Sequence, residues 1–306
     1  MKLLYILLIA IYFTFVQSQP SNLYLYYSTD PGESYDYTST IISLSDGTEV
    51  NGTLVPGISS QHLELLDFLQ VNSNNNFEFL VEINGALNIV TTTPGGQFVS
   101  KSKYVFQNRL PDTYFPPSRQ FDSKRNSYYL ISTNGDLYIY NFTNSLESVV
   151  NTTNEHGNIY STPVGCFDGQ NKYYILYTQY NSFLYYDFTT YTNSVPITLT
   201  GDIIQYPGQY LMSTDNQVYV ISYGHTYMYI LLVDTQEGTT KLVYSIPLGL
   251  QISTAYWTLN QYFVLITQQY GSNYISTLDL NSFSLVSKTE IQSKLFDFSY
   301  YGAGVF

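Results

Sequence analysis

Residues 121–144, FDSKRNSYYLISTNGDLYIYNFTN, place apolar and aromatic side chains on both faces of a predicted β-hairpin. Within LYIYNF, strand alternation sends Leu137 and Ile139 one way and Tyr138, Tyr140 and Phe142 the other. An antiparallel sheet with one wet face alternates apolar with polar residues, so both faces of this hairpin must be covered. The same order (Phe-Asp, a polar turn, an aromatic-aliphatic strand, a second turn, a strand ending Phe-Thr) returns at 167–190. A further copy starts at Tyr256, and weaker ones at Ser213 and Asn75. Alternating Tyr, Val, Ile, Phe and Thr, broken by Asn-Gly, Gly-Ser or Asp-Asn turns, predict a meander of short strands. No segment of the mature chain carries a capped 3.6-residue apolar period, and Leu63 to Leu69 reads as a strand or a single turn. An all-β chain is expected.

The copies recur every ~40 to 46 residues, within the range for four-stranded propeller blades. A blade wedged between two neighbours buries both faces, and tyrosine suits its wider outer zone because the ring packs while the hydroxyl reaches polar groups or water. Near the C-terminus, LFDFSY (295–300) reads as an innermost strand with no partners after it. Those partners stand at the other end: NLYLYYS from Asn22, YDYTSTIISL from Tyr35 and TEVNGTLV from Thr48. The expected fold is a six-bladed β-propeller over residues 19–306, closed by a composite blade of N-terminal and C-terminal strands. The remaining blades centre near residues 85, 135, 180, 225 and 270. Over nearly this whole span the copies resemble the β-propeller superfamily. The resemblance is architectural: Trp-Asp dipeptides, a double glycine in each copy and Asp-boxes are all missing, so it implies no site residues.

The first residues add a compartment. Lys2, the apolar run from Leu3 to Val16 and the small residues Val16 and Ser18 form a signal peptide, residues 1–18, with cleavage after Ser18. The run falls short of the ~20 apolar residues that span a bilayer, so an uncleaved anchor is the lesser alternative and a secreted, extracellular product is expected. A net charge of −12 argues against nucleic acid and anionic membrane surfaces as partners, and no later segment is apolar enough for a membrane span. Charged residues are only 11% of a chain with 34 tyrosines, so solubility falls to Ser, Thr, Asn, Gln and N-glycans. Sequons stand at Asn51, Asn141 and Asn151; Asn51 and Asn151 are expected to be occupied more readily than Asn141, which ends a strand among apolar neighbours. Cys166 is the single cysteine, so no internal disulfide forms, and it reads as a buried inert thiol.

Catalytic signatures such as Gly-x-Ser-x-Gly, His-Glu-x-x-His, a P-loop or an EF-hand loop are absent from the sequence. The three arginines, Arg109, Arg119 and Arg125, fall within one blade's span, which excludes an arginine cluster drawn from several blades, and they read as surface charge. Asp30, Glu33 and Asp36 read as a solvated Pro-Gly turn, and the terminal YGAGV as a flexible tail. No cofactor or metal is assigned. In a propeller, the loops from each blade to the next and those between second and third strands share one face. His62, His156 and His225 fall in such loops, as does the long connection 106–120 with Arg109 and Tyr114. These five residues form the candidate binding face. The expected function is an extracellular binding module for a carbohydrate or protein ligand. A hydrolase or lyase with a metal in the central channel is the alternative, and a structural coat component a third reading; fold alone does not choose among them.

Overall fold

A computed structural model describes residues 21–28, 37–50, 63–84, 86–93, 97–106, 110, 118–152, 163–202, 208–214, 217–223, 227–247, 254–259, 261–269, 272–291 and 300–305. Three N-terminal strands come first, β1 (Asn22–Ser28), β2 (Tyr37–Ser43) and β3 (Glu49–Val50). The first complete meander is β4 (Leu63–Val71), β5 (Phe77–Ile83), β6 (Ala86–Thr92) and β7 (Phe98–Tyr104). The next is β8 (Gln120–Asp122), β9 (Ser127–Ile131), β10 (Asp136–Asn141) and β11 (Leu146–Asn151). A third combines β12 (Pro163–Phe167), β13 (Lys172–Tyr177) and β14 (Ser182–Asp187) with the short β15 (Thr192–Asn193) and β16 (Ile197–Thr198). The fourth holds β17 (Thr200–Gly201), β18 (Gly208–Thr214), β19 (Gln217–Tyr223), β20 (Tyr227–Asp234) and β21 (Thr239–Pro247). The fifth is β22 (Thr254–Leu259), β23 (Tyr262–Gln269), β24 (Ser272–Asp279) and β25 (Ser284–Ile291), and β26 (Tyr300–Val305) follows.

Five sheets are thus built from consecutive segments, each an antiparallel meander apart from the parallel pair β17 and β21. These five blades give the β-propeller architecture, and the expected blade centres fall on them. The remaining sheet has the order β26, β1, β2, β3, with Leu23 opposite Val305 and Tyr27 opposite Tyr300. Two expectations shift here. The partner of β1 is the terminal YYGAGV, not LFDFSY, most of which lies outside the described residues. YGAGV is accordingly a strand and not a flexible tail; Gly302, Ala303 and Gly304 offer little side chain to alternate, yet their backbone pairs with Tyr26, Leu25 and Tyr24. The strand β26 lies beside β4 and β22, β4 beside β8, β12 beside the second strand β9 and beside β18, and β18 beside β22, so neighbouring sheets meet mainly at their first strands.

The hairpin's two apolar faces are covered as alternation demands. Tyr128, Leu130, Tyr140 and Phe142 pack against Leu66, Leu80, Leu87 and Ile89 of the preceding sheet. On the opposite face, Tyr129, Ile131 and Leu137 pack against Phe167, Tyr173, Ile175 and Leu184 of the following one. Each such ring or branched side chain, once buried, contributes ~1.5–3 kcal/mol. The pattern repeats onward: Val164, Cys166, Leu176 and Phe183 meet Leu211, Val218, Val220 and Leu231, and Met212, Tyr219, Ile221 and Ile230 meet Phe263, Leu265 and Leu278. Cys166 is buried and unbridged, and burial pushes its thiol well above the ordinary range, as suits an inert packing residue.

A shared turn marks the third-to-fourth strand connections. Asn141, Asp187, Asp234 and Asp279 each end the third strand, and their Oδ1 atoms accept from the backbone N–H two residues on, at 3.0, 2.7, 2.9 and 2.9 Å. Phe142, Phe188 and Leu280 follow Asn141, Asp187 and Asp279; each is buried and donates its N–H to the first turn of its own sheet, at Asn126, Asn171 and Gln261. The fifth position of the turn is left-handed in four blades, Ser145 (φ 54°), Tyr191 (φ 58°), Gly238 (φ 69°) and Phe283 (φ 49°). The N-terminal sheet has its own version, with Gly47 (φ 71°) donating to the Ser43 carbonyl at 2.9 Å. This turn comes close to β25: a Cβ on Gly47 would stand 2.3 Å from the Glu290 carbonyl oxygen. Ser287 and Thr289 hydroxyls donate to the carbonyls of Leu44 and Ser45, each at 3.4 Å.

Candidate functional site

The two ends of the sheets differ in how the chain turns. Third-to-fourth strand connections occupy only 44–48, 93–97, 142–145, 188–191, 235–238 and 280–283. Connections from one sheet to the next are longer in most cases, at 51–62, 105–119, 152–162, 248–253 and 292–299. His62, Arg109, Tyr114, His156 and His225, expected to form the binding face, lie outside the described residues. So do the sequon residue Asn51 and the acidic turn at Asp30, Glu33 and Asp36. Among the described residues no group of three or more His, Cys, Asp and Glu side chains converges on a metal position, and no helix is long and apolar enough to cross a membrane.

The other two sequons are described, and their surroundings differ. Asn141 is half-buried inside its turn: Oδ1 accepts from Thr143 and Asn144, while Nδ2 donates to Ser127 Oγ at 3.1 Å and the Arg125 carbonyl at 3.3 Å. Asn151 is exposed at the end of β11, where its carbonyl accepts from Asn193 Nδ2 at 3.0 Å.

Within the described residues, ionic side chains gather where first strands of neighbouring sheets meet. The pairing of β4 with β5 slips twice, between Leu65 and Asp67 and again between Phe68 and Gln70, so two bulges flank Asp67. Bulges turn a strand and re-aim its side chains. Asp67 is thereby presented to the next sheet, where Tyr128 donates its hydroxyl to Oδ2 at 2.8 Å and Arg119 Nε stands 3.8 Å away. Arg119 also donates to the Leu66 carbonyl. Its side chain is only 14% exposed, which corrects its reading as surface charge: the guanidinium ties the bulged strand β4 to the segment that enters β8. Burial pushes the Asp67 carboxyl above its usual range, with Arg119 and Tyr128 pulling the other way.

Arg125 is likewise a link and not free surface charge. It donates to Asp122 Oδ2 at 2.7 Å, the Gln170 carbonyl at 2.6 Å and Asn171 Oδ1 at 2.5 Å, and lies 5.6 Å from the centre of the Phe188 ring. Tyr129 donates to the same Asp122 oxygen at 3.0 Å. Both clusters tie a blade to its neighbour. The Asp67 cluster joins the first strand β4 to the segment that enters β8, and neither Asp67 nor its bulges could be read from residue order.

The Asp67 cluster has a measurable signature. Arg119→Ala leaves a partly buried carboxylate and the Leu66 carbonyl short of a donor and is expected to cost ~1–3 kcal/mol in urea unfolding. Because the folded Asp67 titration lies above its unfolded value, its contribution is full below the ordinary carboxylate range and declines as pH rises through the raised titration. Urea midpoints measured against pH should therefore show the parent losing stability relative to Asp67→Asn across that rise. Parallel profiles would show that Asp67 titrates as an ordinary carboxylate.

No protein-family model matches the chain, and no curated protein matches it. Solved structures do share its architecture. The crystal structure of a nidogen/laminin complex contains a chain similar over 93% of this protein and 97% of its own length, with a TM-score of 0.53 and 10% identity. TolB from Acinetobacter baumannii is similar over 92% of this chain and 70% of its own, with a TM-score of 0.55 and 11% identity. A protein from Lactobacillus plantarum matches over 94% and 100%, with a TM-score of 0.54 and 10% identity. At such identities the likeness is one of fold, a β-propeller.

Proposed function

We propose that this chain is secreted after losing residues 1–18 and acts as an extracellular binding module, holding a carbohydrate or protein ligand on the end with the longer connections. The observation that carries this reading is the asymmetry of the turns. One end is closed by short, repeated, internally hydrogen-bonded turns, whereas the other carries connections such as 105–119 and 152–162. Long loops held by a rigid scaffold are where binding groups gather. One of the similar folds was solved in a complex of nidogen with laminin, a setting in keeping with a protein ligand.

In the same reading the ring has six blades, the sheet β26–β1–β2–β3 being the one that closes it. Its support is the pairing of β26 with β1, the position of β26 beside β4 and β22, and the approach of residues 44–47 to β25.

The test begins with the secreted protein screened against a glycan array and a panel of extracellular proteins. With a ligand in hand, paired alanine variants compare the two ends. Arg109→Ala with Tyr114→Ala is expected to weaken binding at least tenfold, through loss of a carboxylate partner and a stacking surface. Ser282→Ala with Ser284→Ala, whose hydroxyls meet at 2.8 Å in a short turn, should leave binding unchanged. The reverse outcome would place the ligand at the opposite end and overturn the reading.

A further inference from the structure

The outermost strand of each sheet has one unpaired edge, a template on which a second chain can add a strand unless something blocks it. Most outer strands here carry a block. The strand β3 has two residues, and β15 and β16 have two each, separated by Pro196. Exposed lysines stand on β7 (Lys101 and Lys103), β21 (Lys241) and β25 (Lys288), and β17 covers part of β21. Short length, lysines and cover are the usual devices against edge-to-edge pairing.

The strand β11 has no lysine and no covering strand, although Asn193 Nδ2 donates to the carbonyl of its last residue, Asn151. Its sequence, Leu-Glu-Ser-Val-Val-Asn, is six residues long with no lysine or proline, and its one charge, Glu147, is half-buried. Leu146 is 62% exposed and Val149 45%. Yet β11 is the one outer strand that ends in a sequon within the described residues, with Asn151 exposed at its last position. We infer that an N-glycan on Asn151 guards the β11 edge, as lysines guard β7, β21 and β25, and that without it a second copy of this chain pairs there. At ~3.3 Å per residue, Leu146 lies ~17 Å along the strand from Asn151, so a bulky branched glycan shades the whole edge. The neighbouring sequon at Asn141 cannot serve, because its amide is committed to Ser127 and Arg125 within the turn.

The inference rests on the secreted-glycoprotein reading, and the experiment separates the two. The full chain is produced in a secreting eukaryotic host, glycan occupancy at Asn151 is read by mass spectrometry, and mass in solution is followed by light scattering over a hundredfold range of concentration. Asn151→Gln is expected to self-associate at concentrations at least tenfold below those tolerated by the parent, while Asn51→Gln stays monomeric. Trimming the glycans of the folded parent with an endoglycosidase should produce the same association, which covers the case where the variant fails to fold. Adding Val149→Lys to Asn151→Gln should restore the monomer. An empty Asn151 in the secreted protein overturns the inference together with the glycosylation reading. An occupied Asn151 whose loss leaves the protein monomeric overturns the edge guard alone, as does association that Val149→Lys leaves untouched.

Discussion

Deleting residues 295–306 is expected to abolish the cooperative unfolding transition, far beyond the effect of losing a loose tail. The deletion removes β26, which pairs with β1 from Leu23↔Val305 to Tyr27↔Tyr300 and lies beside β4 and β22. Without it one edge of β1 loses its backbone partners, although β2 still pairs the other, and β4 and β22 lose a neighbour at the same time. A domain of this kind is stable by only ~5–15 kcal/mol, so losing one strand from each of these contacts consumes most of the margin. Thermal melts followed by near-ultraviolet circular dichroism, with removal of Phe306 alone as a control, read the outcome. A melting midpoint unchanged by the longer deletion would show that the N-terminal strands stand without β26.

The second large effect is expected from a single methyl group. Gly165 lies in the middle of β12, and a Cβ built there would stand 2.4 Å from Cε1 and 2.5 Å from the hydroxyl oxygen of Tyr173. The ring cannot swing aside, because Tyr173 is fully buried and donates its hydroxyl to the Ser118 carbonyl at the entrance to the preceding sheet. Gly165→Ala therefore forces either strand or ring to move, at about 3 kcal/mol for overpacking, with the loss of a buried hydrogen bond adding ~1–3 kcal/mol if the ring gives way. Tyr173→Phe, which leaves the Ser118 carbonyl without this donor, should cost ~1–3 kcal/mol. The double variant should be somewhat less destabilised than the sum of the two, since the second change removes one of the clashing atoms, the hydroxyl oxygen, and frees the ring from the Ser118 carbonyl, while Cε1 stays in the way. Full additivity in urea unfolding would mean that the alanine methyl and the hydroxyl never meet.

Residue order revealed the parts of this fold that rest on alternation. Leu137, Tyr138, Ile139 and Tyr140 point to opposite faces, and both faces are covered by neighbouring sheets, because a two-residue period leaves a strand no other arrangement. Where the period breaks, the reading blurs. The two bulges in β4 insert Leu66 and Leu69 out of phase, so Leu63 to Leu69 has a helix-like spacing although it is a strand, and Asp67 gave no sign of its burial. Arg119 reads as surface charge because its partners, Asp67 and the Leu66 carbonyl, are more than 50 residues away in sequence. The strand β26 escapes notice because glycine and alanine have no apolar side chains to alternate. The turns carry a sharper signal. Asn141, Asp187, Asp234 and Asp279 are 46, 47 and 45 residues apart, and they mark the blades more sharply than the aromatic strands do. The residues of the candidate binding face remain positions in connections, since loops follow no period that fixes their side chains.

The pairing of β1 with β26 also determines how the molecule would respond to tension. Leu23, near the start of β1, stands opposite Val305, at the end of β26, so the chain enters and leaves this pair at the same end. A pull between the segment before Leu23 and the segment after Val305 therefore loads the hydrogen bonds one after another, like a zip, and not all together in shear. Held by its two ends, the protein would open first at this seam and at low force. Held by the β8–β11 sheet, it would resist, because that sheet is packed on both faces by its neighbours.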